Sequence, residues 1–223
     1  MAMLIVEDVM LLLLDDLGGR ESAAIDVDVL LGGAVLVELA LARVVWAEPK
    51  RGLFDAQKVF PVPGVHVADP LLQAALATVG AKPRTANRLV VKLGEGLREA
   101  VIARLYERGL VRPQRRGIGG AFGFATWPAQ DSRHELELRT HLDHVLTERV
   151  PLDLRSAAII SILSASGYVN LVLGSLTLAP NDVVRRAEDV LHSDWAPGEV
   201  RDAVNAASAA VLAMVASTTD FPS

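Results

Sequence analysis

The longest run of apolar positions lies at residues 29–45 and predicts the central element of the fold. Its 17 residues include two charges, Glu38 and Arg43, and the apolar side chains fall on every face of a helix. A helix that is apolar all round is buried in a larger protein or in a membrane, and a carboxylate near its middle is costly in lipid. The pattern therefore predicts a core helix, Val29–Val45, in which Gly32 and Gly33 allow a close helix contact.

Helical periodicity and helix-end signals predict further helices on both sides of this segment. Asp69–Pro70 is a typical helix start, because aspartate accepts from free N–H groups and proline fits the first turn. Ser132 and Glu135 have the spacing of a capping box. The predicted helices are Leu4–Leu14, Pro70–Val79, Arg84–Leu93, Glu95–Arg108, Ser132–Arg149, Asp182–His192 and Pro197–Met214.

Two segments predict small β-hairpins. Residues 43–48 and Lys58–Val62 are β-branched and aromatic, with a turn signal between them. Pro61 should place its strand at a sheet edge, because proline cannot donate a ladder hydrogen bond. Residues 111–127 predict two strands around a Gly-rich tip. The expected fold is thus one mainly α domain, 1–223 with its core at about 4–214, that carries one or two small hairpins.

A second apolar stretch, residues 156–181, contains 26 residues without a charge. Its length alone matches a transmembrane helix. However, Ser, Asn and Thr residues are scattered through it, and Gly167 and Gly174 interrupt it. A buried helix followed by a broken second segment satisfies the same pattern, and we prefer this interpretation to a span.

Composition and motifs point away from catalysis. The chain is 51% hydrophobic and 4% aromatic, which favours helices over a β-sandwich. It has no cysteine, which excludes disulfides, thiolate catalysis and Cys-ligated zinc. Glu7 and Asp8 interrupt the first apolar run, so we expect no signal peptide and a cytoplasmic setting.

Two other motifs are weak evidence for a phosphate-binding loop or a metal site. Gly117–Gly123 lacks the Gly-Lys-Ser/Thr ending of a phosphate loop. His141 and His144 are one helical turn apart with Asp143 between them, which a solvated helix face explains better than a metal site. We therefore predict a non-enzymatic protein without catalytic residues, metal or cofactor.

Charge is distributed unevenly along the chain. Residues 82–116 hold ten Lys or Arg and three Glu, a net charge of +7, so the remainder carries −12 of the total of −5. An acidic body with one basic face suits an anionic partner.

The hairpin that follows the basic helices places Phe122 and Phe124 among glycines. Apolar side chains on a tip beside cations suit a membrane surface, which the aromatic rings would enter as shallow anchors. The same helix-plus-hairpin order resembles a winged helix, which would use this face to bind nucleic acid. The rings could equally pack into the core, and the domain could instead be an adaptor that binds another protein.

Several segments in one order resemble the Golgi phosphoprotein-3 family. Leu4–Leu14, with its acidic pair, precedes Gly33-Ala-Val-Leu-Val-Glu-Leu-Ala-Leu41, which is similar to the family's Gly-x-x-Leu-Ile-Glu-Leu-Ala-Leu helix. Further similar segments are Leu105–Val111, the hairpin that ends at Thr126-Trp-Pro128, and Leu154–Ser166. The resemblance extends from Leu4 to about Met214.

The resemblance implies a peripheral membrane adaptor that binds phosphatidylinositol 4-phosphate and retains protein clients. The family's headgroup pocket uses one Trp and three Arg, which fall on Ala23, Gly32, Glu95 and Arg98 here; Arg98 matches. We expect a bacterial member of the family at the inner face of the plasma membrane. Because Glu95 would repel phosphate, we expect no preference for phosphatidylinositol 4-phosphate over other lipids of equal charge. The predicted contacts with anionic phospholipid are Arg98, Lys92, Arg104 and Arg108.

Overall fold

The computed structural model describes residues 3–16, 25–49, 57–116, 124–127, 130, 132–174 and 177–219, and helices dominate it. The helices are α1 Ile5–Asp16, α2 Ile25–Leu41, α3 Pro70–Ala81, α4 Ala86–Gly94, α5 Leu97–Glu107, α6 Arg133–Leu146, α7 Leu154–Ala165, α8 Val169–Leu173, α9 Pro180–His192 and α10 Gly198–Thr219. The strands are β1 Val45–Ala47, β2 Lys58–Pro61, β3 Arg84–Thr85, β4 Gln114–Arg116 and β5 Phe124–Thr126. The predicted mainly α fold with small hairpins is confirmed.

Helix α2 is the centre of the core, as its pattern predicts. It packs against α1, α4, α7 and α10, and its apolar residues between Val27 and Ala40 are buried on all sides. The prediction that this helix continues to Val45 is wrong. Arg43 has a positive φ of 55°, which breaks the helix, and the β-branched and aromatic residues that follow pair in strand β1 instead.

Glycines allow α2 and α4 to touch backbone to backbone. A Cβ atom on Gly32 would lie 2.0 Å from the carbonyl oxygen of Val90, and one on Gly94 would lie 2.2 Å from that of Asp28. No side chain fits at either position. The close helix contact expected at Gly32 is therefore confirmed, and its partner is α4.

The first sheet has three antiparallel strands in the order β1–β2–β3. The prediction of an edge strand at Pro61 is wrong, because β2 lies in the middle. Strand β3 pairs with Lys58 and Val59, so Pro61 extends past its end and faces Val45 on the other side. No ladder bond is lost at the proline. Arg84 and Thr85, predicted as helical, form β3 instead.

The charge-free stretch folds as we interpreted it. Helix α7 is almost wholly buried, the chain turns at Gly167 with a φ of 77°, and the short α8 follows. Among the described residues, one helical window, Gly198–Ser217 in α10, is long and apolar enough to cross a membrane by length and composition, and 44% of that window is buried.

The expected capping box at α6 does not form. Ser132 makes no capping hydrogen bond with its side chain, and Glu135 instead accepts from Arg139 Nε at 2.8 Å. Arg139 also donates to the carbonyl oxygens of Leu12 and Val172. This buried guanidinium joins α1, α6 and α8, and so Glu135 serves as its counter-charge.

Asp153 caps α7 and should give the protein an acid-sensitive component of stability. Burial would raise the pKa of its carboxyl, but hydrogen bonds from Ser156, His141 and Arg155 outweigh that effect and lower the pKa from 3.8 to about 2. A lowered pKa means that the carboxylate stabilises the fold above pH 3.8 and that this contribution disappears as pH falls toward 2. Asp153→Asn keeps a capping oxygen but lacks the charge.

We therefore expect the stability difference between the native protein and Asp153→Asn to shrink between pH 4 and 2. Urea titrations across this range measure it, with the exposed Asp202→Asn on α10 as control. A difference that is constant with pH would contradict the assignment.

Candidate membrane-binding face

Helices α4 and α5 carry most of the basic segment. On α4 the apolar residues Ala86, Leu89, Val90 and Leu93 face the core. The opposite face, with residues at spacings of three and four, therefore points to solvent. It presents Arg88, Val91, Lys92 and Glu95, all of them exposed.

The four predicted lipid-binding residues fall into two groups. Lys92 lies on this outward face, with half of its side chain exposed, and forms an ion pair with Glu95. The arginines of α5 turn toward the body of the protein instead. Arg98 Nε lies 3.2 Å from Asp28 Oδ1, and its side chain is 16% exposed.

Arg104 and Arg108 converge on Glu7 of α1. Their Nε atoms lie 2.9 Å and 3.0 Å from Glu7 Oε1, and the Glu7 side chain is fully buried. Glu7 also accepts from the backbone N–H of Leu4 at 2.7 Å. A buried carboxylate needs such partners, because its isolated charge would be strongly unfavourable in the core.

Arg104 in addition binds Asp69, the residue that caps α3. Its Nη1 and Nη2 atoms lie 3.2 Å and 2.7 Å from the two carboxylate oxygens, and Asp69 Oδ1 accepts from Leu71 N–H at 2.9 Å. Burial would raise the pKa of Asp69, but the bonds from Arg104 and Leu71 outweigh it and lower the pKa. Arg104 thus ties α5 to both α1 and α3.

Asp8, the other half of the acidic pair, has partners of its own. Its carboxylate binds Arg155 of α7 and lies 2.8 Å from His134 Nε2. The sequence motif with two acidic residues on α1 is therefore a buried anchor for the arginines at the end of α5 and the start of α7, and for a histidine of α6. Sequence reasoning identified the pair, but it did not assign the basic residues to it.

The hairpin after α5 exists as an antiparallel pair, β4 with β5, in which Arg116 faces Phe124 across the strands. Phe122 lies outside the described residues, and Phe124 is described by its backbone alone, so both membrane anchors stay predictions. Next to the hairpin, half-buried Trp127 packs edge-to-face on Tyr106 at 6.4 Å between ring centroids.

A groove opens between the outward face of α4 and the last turns of α10. Its volume is about 570 Å³, and we call it the α4–α10 groove. Its lining residues are Lys82, Pro83, Arg84, Asn87, Arg88, Val91, Lys92, Glu95 and Met214. Sequence reasoning missed this site, because nothing in the local pattern of either helix indicates that they meet.

The sequence was also compared with models of known protein families. The family model described as Golgi phosphoprotein 3 (GPP34) matches residues 5–207, nearly the whole chain. The chain belongs to the Golgi phosphoprotein 3 family. A comparison with the curated proteins finds no match. The resemblance expected from the motif order is thereby confirmed, and Golgi phosphoprotein 3 proteins are not a known enzyme family.

Two residues in or beside helices α2 and α4 lie at positions that form the headgroup pocket in the family. The resemblance places Gly32 and Glu95 at headgroup-pocket positions, whereas Ala23 lies outside the described residues. In this member of the Golgi phosphoprotein 3 family, position 32 is filled by the α4 backbone, and Glu95 binds Lys92 on the protein surface. An arginine side chain at position 32 is incompatible with this packing.

Proposed function

We propose that this protein is a non-enzymatic, peripheral membrane adaptor that binds anionic phospholipid with the basic face of residues 82–112. Family membership supports a lipid-binding adaptor in general terms. The observation that carries the proposal is the exposure of Lys82, Arg88, Lys92 and Arg112 in an otherwise acidic protein. A positive face on an acidic body orients the protein on an anionic membrane.

Exposed cations are better suited to this role than the α5 arginines. Within the described part of the chain, the side chains of Lys82 and Arg88 form no hydrogen bond or ion pair, and Lys92 has one exposed partner. Arg104 and Arg108 bind the protein's own Glu7, and Arg98 binds Asp28. Contacts of these three arginines with lipid remain a prediction, and they would compete with carboxylates already in place.

The same contacts weigh against nucleic-acid binding. In a winged helix, the helix before the wing presents its basic side chains to the groove of DNA. Here that helix is α5, and Arg104 and Arg108 contact Glu7. We therefore favour an anionic membrane over nucleic acid as the partner. We propose the cytoplasmic face of a membrane as the location of the protein and a protein client as its further partner.

Co-sedimentation with vesicles tests the proposal. The protein should bind vesicles of phosphatidylcholine with phosphatidylglycerol and should not bind phosphatidylcholine alone. Binding should weaken as salt rises, because each cation near the surface contributes on the order of 1 kcal/mol that salt screens. Vesicles with phosphatidylinositol 4-phosphate at equal charge should bind no more tightly, since Gly32 and Glu95 replace two family arginines.

Duplex DNA in a mobility-shift assay at matched salt provides the comparison. Binding to DNA without binding to anionic vesicles would replace this proposal with the nucleic-acid alternative. Binding to neither would leave a purely protein-binding adaptor. A clear preference for phosphatidylinositol 4-phosphate would show that other residues have rebuilt the pocket.

A further inference from the structure

We propose that the cleft between the α6–α7 loop, residues 147–153, and helix α9 binds a small aliphatic carboxylic acid, whose carboxylate replaces Glu148 as the partner of Arg186. We call this site the α9 cleft. Its volume is about 460 Å³, which lies in the range of small-molecule sites in proteins. None of its lining residues belongs to the basic face of residues 82–112, so the inference goes beyond the proposed function.

The floor of the α9 cleft is aliphatic. It combines side chains from the end of α6, from the loop and from α9, namely Val145, Leu146, Val150, Leu152 and Val190. The residues from the two helices are buried, and the two from the loop are half-buried. Such a floor favours a ligand with a hydrocarbon body, because contact removes apolar surface of both partners from water.

An exchangeable ion pair lies at the rim of the α9 cleft. Arg186 of α9 binds the carboxylate of Glu148, and this pair joins the loop to the helix. Glu148 has a φ of 58°, which turns the chain out of α6. The side chains of Arg186 and Glu148 are 34% and 70% exposed, and an ion pair with so much access to water is weak. A ligand carboxylate can therefore take the place of Glu148 at little cost.

Arg149 supplies a second cation beside the floor. Within the described part of the chain, its side chain forms no hydrogen bond or ion pair. Asp189 is the other carboxylate of the lining, and it lies one helical turn after Arg185 on α9, which it attracts. Arg149 thus has no internal counter-charge, and its planar guanidinium suits a carboxylate. The rim therefore favours an anionic head over a cationic one.

A peptide C-terminus carries the same head, but the cleft suits a free acid better. Among the described residues that line it, Ser193 has the neutral hydrogen-bonding side chain, and its Oγ already donates to the Val190 carbonyl oxygen at 2.9 Å. A peptide backbone would find few side-chain partners there, and its unpaired polar groups would weaken binding. A hydrocarbon chain needs no such partners.

Three probes with the same hydrocarbon body and different heads test the ligand class. In calorimetric titrations of the full chain, octanoate should bind about tenfold or more tighter than octanol, because the arginines add charge-assisted hydrogen bonds. Octylamine should bind more weakly than octanoate. In nuclear magnetic resonance spectra, octanoate should shift the methyl signals of Val150, Leu152 and Val190.

Variants at the rim test the exchange at Arg186. Arg149→Gln with Arg186→Gln should weaken octanoate binding by about tenfold or more and leave octanol binding unchanged, because the head loses both cations. Glu148→Gln should instead strengthen octanoate binding by about threefold, because the acid no longer displaces an internal carboxylate. The control Glu188→Gln removes the same charge from an exposed residue of α9 outside the cleft and should bind octanoate like the native protein. Melting temperatures should show that all variants fold.

Four results would overturn the proposal. Octanoate that binds no tighter than octanol, or more weakly than octylamine, would exclude an anionic ligand. Octanoate binding that Glu148→Gln leaves unchanged or weakens would exclude the exchange at Arg186. Methyl shifts confined to other residues would place the acid outside the α9 cleft. Tighter binding of the tripeptide acetyl-Gly-Val-Leu than of octanoate would replace the free acid with a peptide C-terminus.

Discussion

Replacing Gly32 with alanine should destabilise the protein by about 3 kcal/mol or more, beyond the usual 1–3 kcal/mol of an overpacked core. The added Cβ would lie 2.0 Å from the Val90 carbonyl oxygen and 2.8 Å from the Gly94 backbone nitrogen. Both obstacles are backbone atoms, so no side-chain rotation relieves the collision. Helices α2 and α4 would have to separate, and each would lose apolar contacts with the other. Urea or thermal unfolding measures the loss.

Gly80→Ala is the matched control. Gly80 is an exposed residue near the end of α3, and its Cβ would meet Pro61 Cγ at an ordinary 3.6 Å. There alanine should be neutral or stabilising by up to about 1 kcal/mol, because glycine costs backbone entropy in a helix. Similar stability of the two variants would mean that α2 and α4 are not in direct contact and would reopen position 32 for a ligand-binding side chain.

Replacing Arg104 with methionine should cost about 3 kcal/mol of unfolding free energy. Arg104 bonds to fully buried Glu7 and to Asp69, so its loss leaves one buried carboxylate undercompensated and weakens the cap of α3. Breaking a buried ion pair from one side costs roughly 3–5 kcal/mol. We expect the lower end of that range, because Arg108 still donates to Glu7. Methionine keeps most of the apolar stem, so lost packing contributes little.

Two further variants identify the cause. Glu7→Gln in the Arg104→Met background removes the excess charge and should recover part of the stability, which a double-mutant cycle would report as coupling. Lys92→Met breaks an exposed pair, with Glu95 59% exposed, and should cost less than about 1 kcal/mol. Absence of coupling between positions 7 and 104 would contradict a structural role for this ion pair.

Vesicle binding by the Arg104→Met variant distinguishes structure from function. Measured under conditions where the variant is folded, binding to anionic vesicles should stay close to that of the native protein if Arg104 serves Glu7 and Asp69. Weaker binding per folded molecule would support the sequence-based prediction that Arg104 contacts lipid. The same measurement on Arg108→Met extends the test to the second arginine of Glu7.

Local signals in the sequence were sufficient for most of the helices. Asp69 followed by Pro70 fixes the start of α3 through a cap and a ring geometry that depend on neighbouring residues alone. The segment at 29–41, whose apolar residues fall on every face, predicts burial, since no face of it can be given wholly to water. Where the end signal was weak, as between Leu41 and Val45, tertiary pairing in the sheet decided the boundary.

The orientation of the basic side chains could not be predicted from local signals in this way. The basic residues at 82–116 correctly indicate that charge is distributed unevenly, because the net charge of a segment is the sum of its residues. They do not indicate which cations face water, since Glu7, one of the partners of Arg104, is 97 residues away, and Asp28, a partner of Arg98, is 70 residues away. Side-chain direction on a helix depends on which face is buried, and that face is chosen by packing with elements remote in sequence.

Motif order, apolar periodicity and charge count were enough to identify the family, the mainly α class, the central buried helix and one strongly basic segment, because each can be evaluated along the chain without knowledge of the packing. Three contacts depend on packing instead: Glu7 binds Arg104 and Arg108, Gly32 meets the backbone of α4, and Met214 lines the α4–α10 groove. Each of these contacts joins residues that are far apart in the chain, so only the packing of helices brings them within reach of one another.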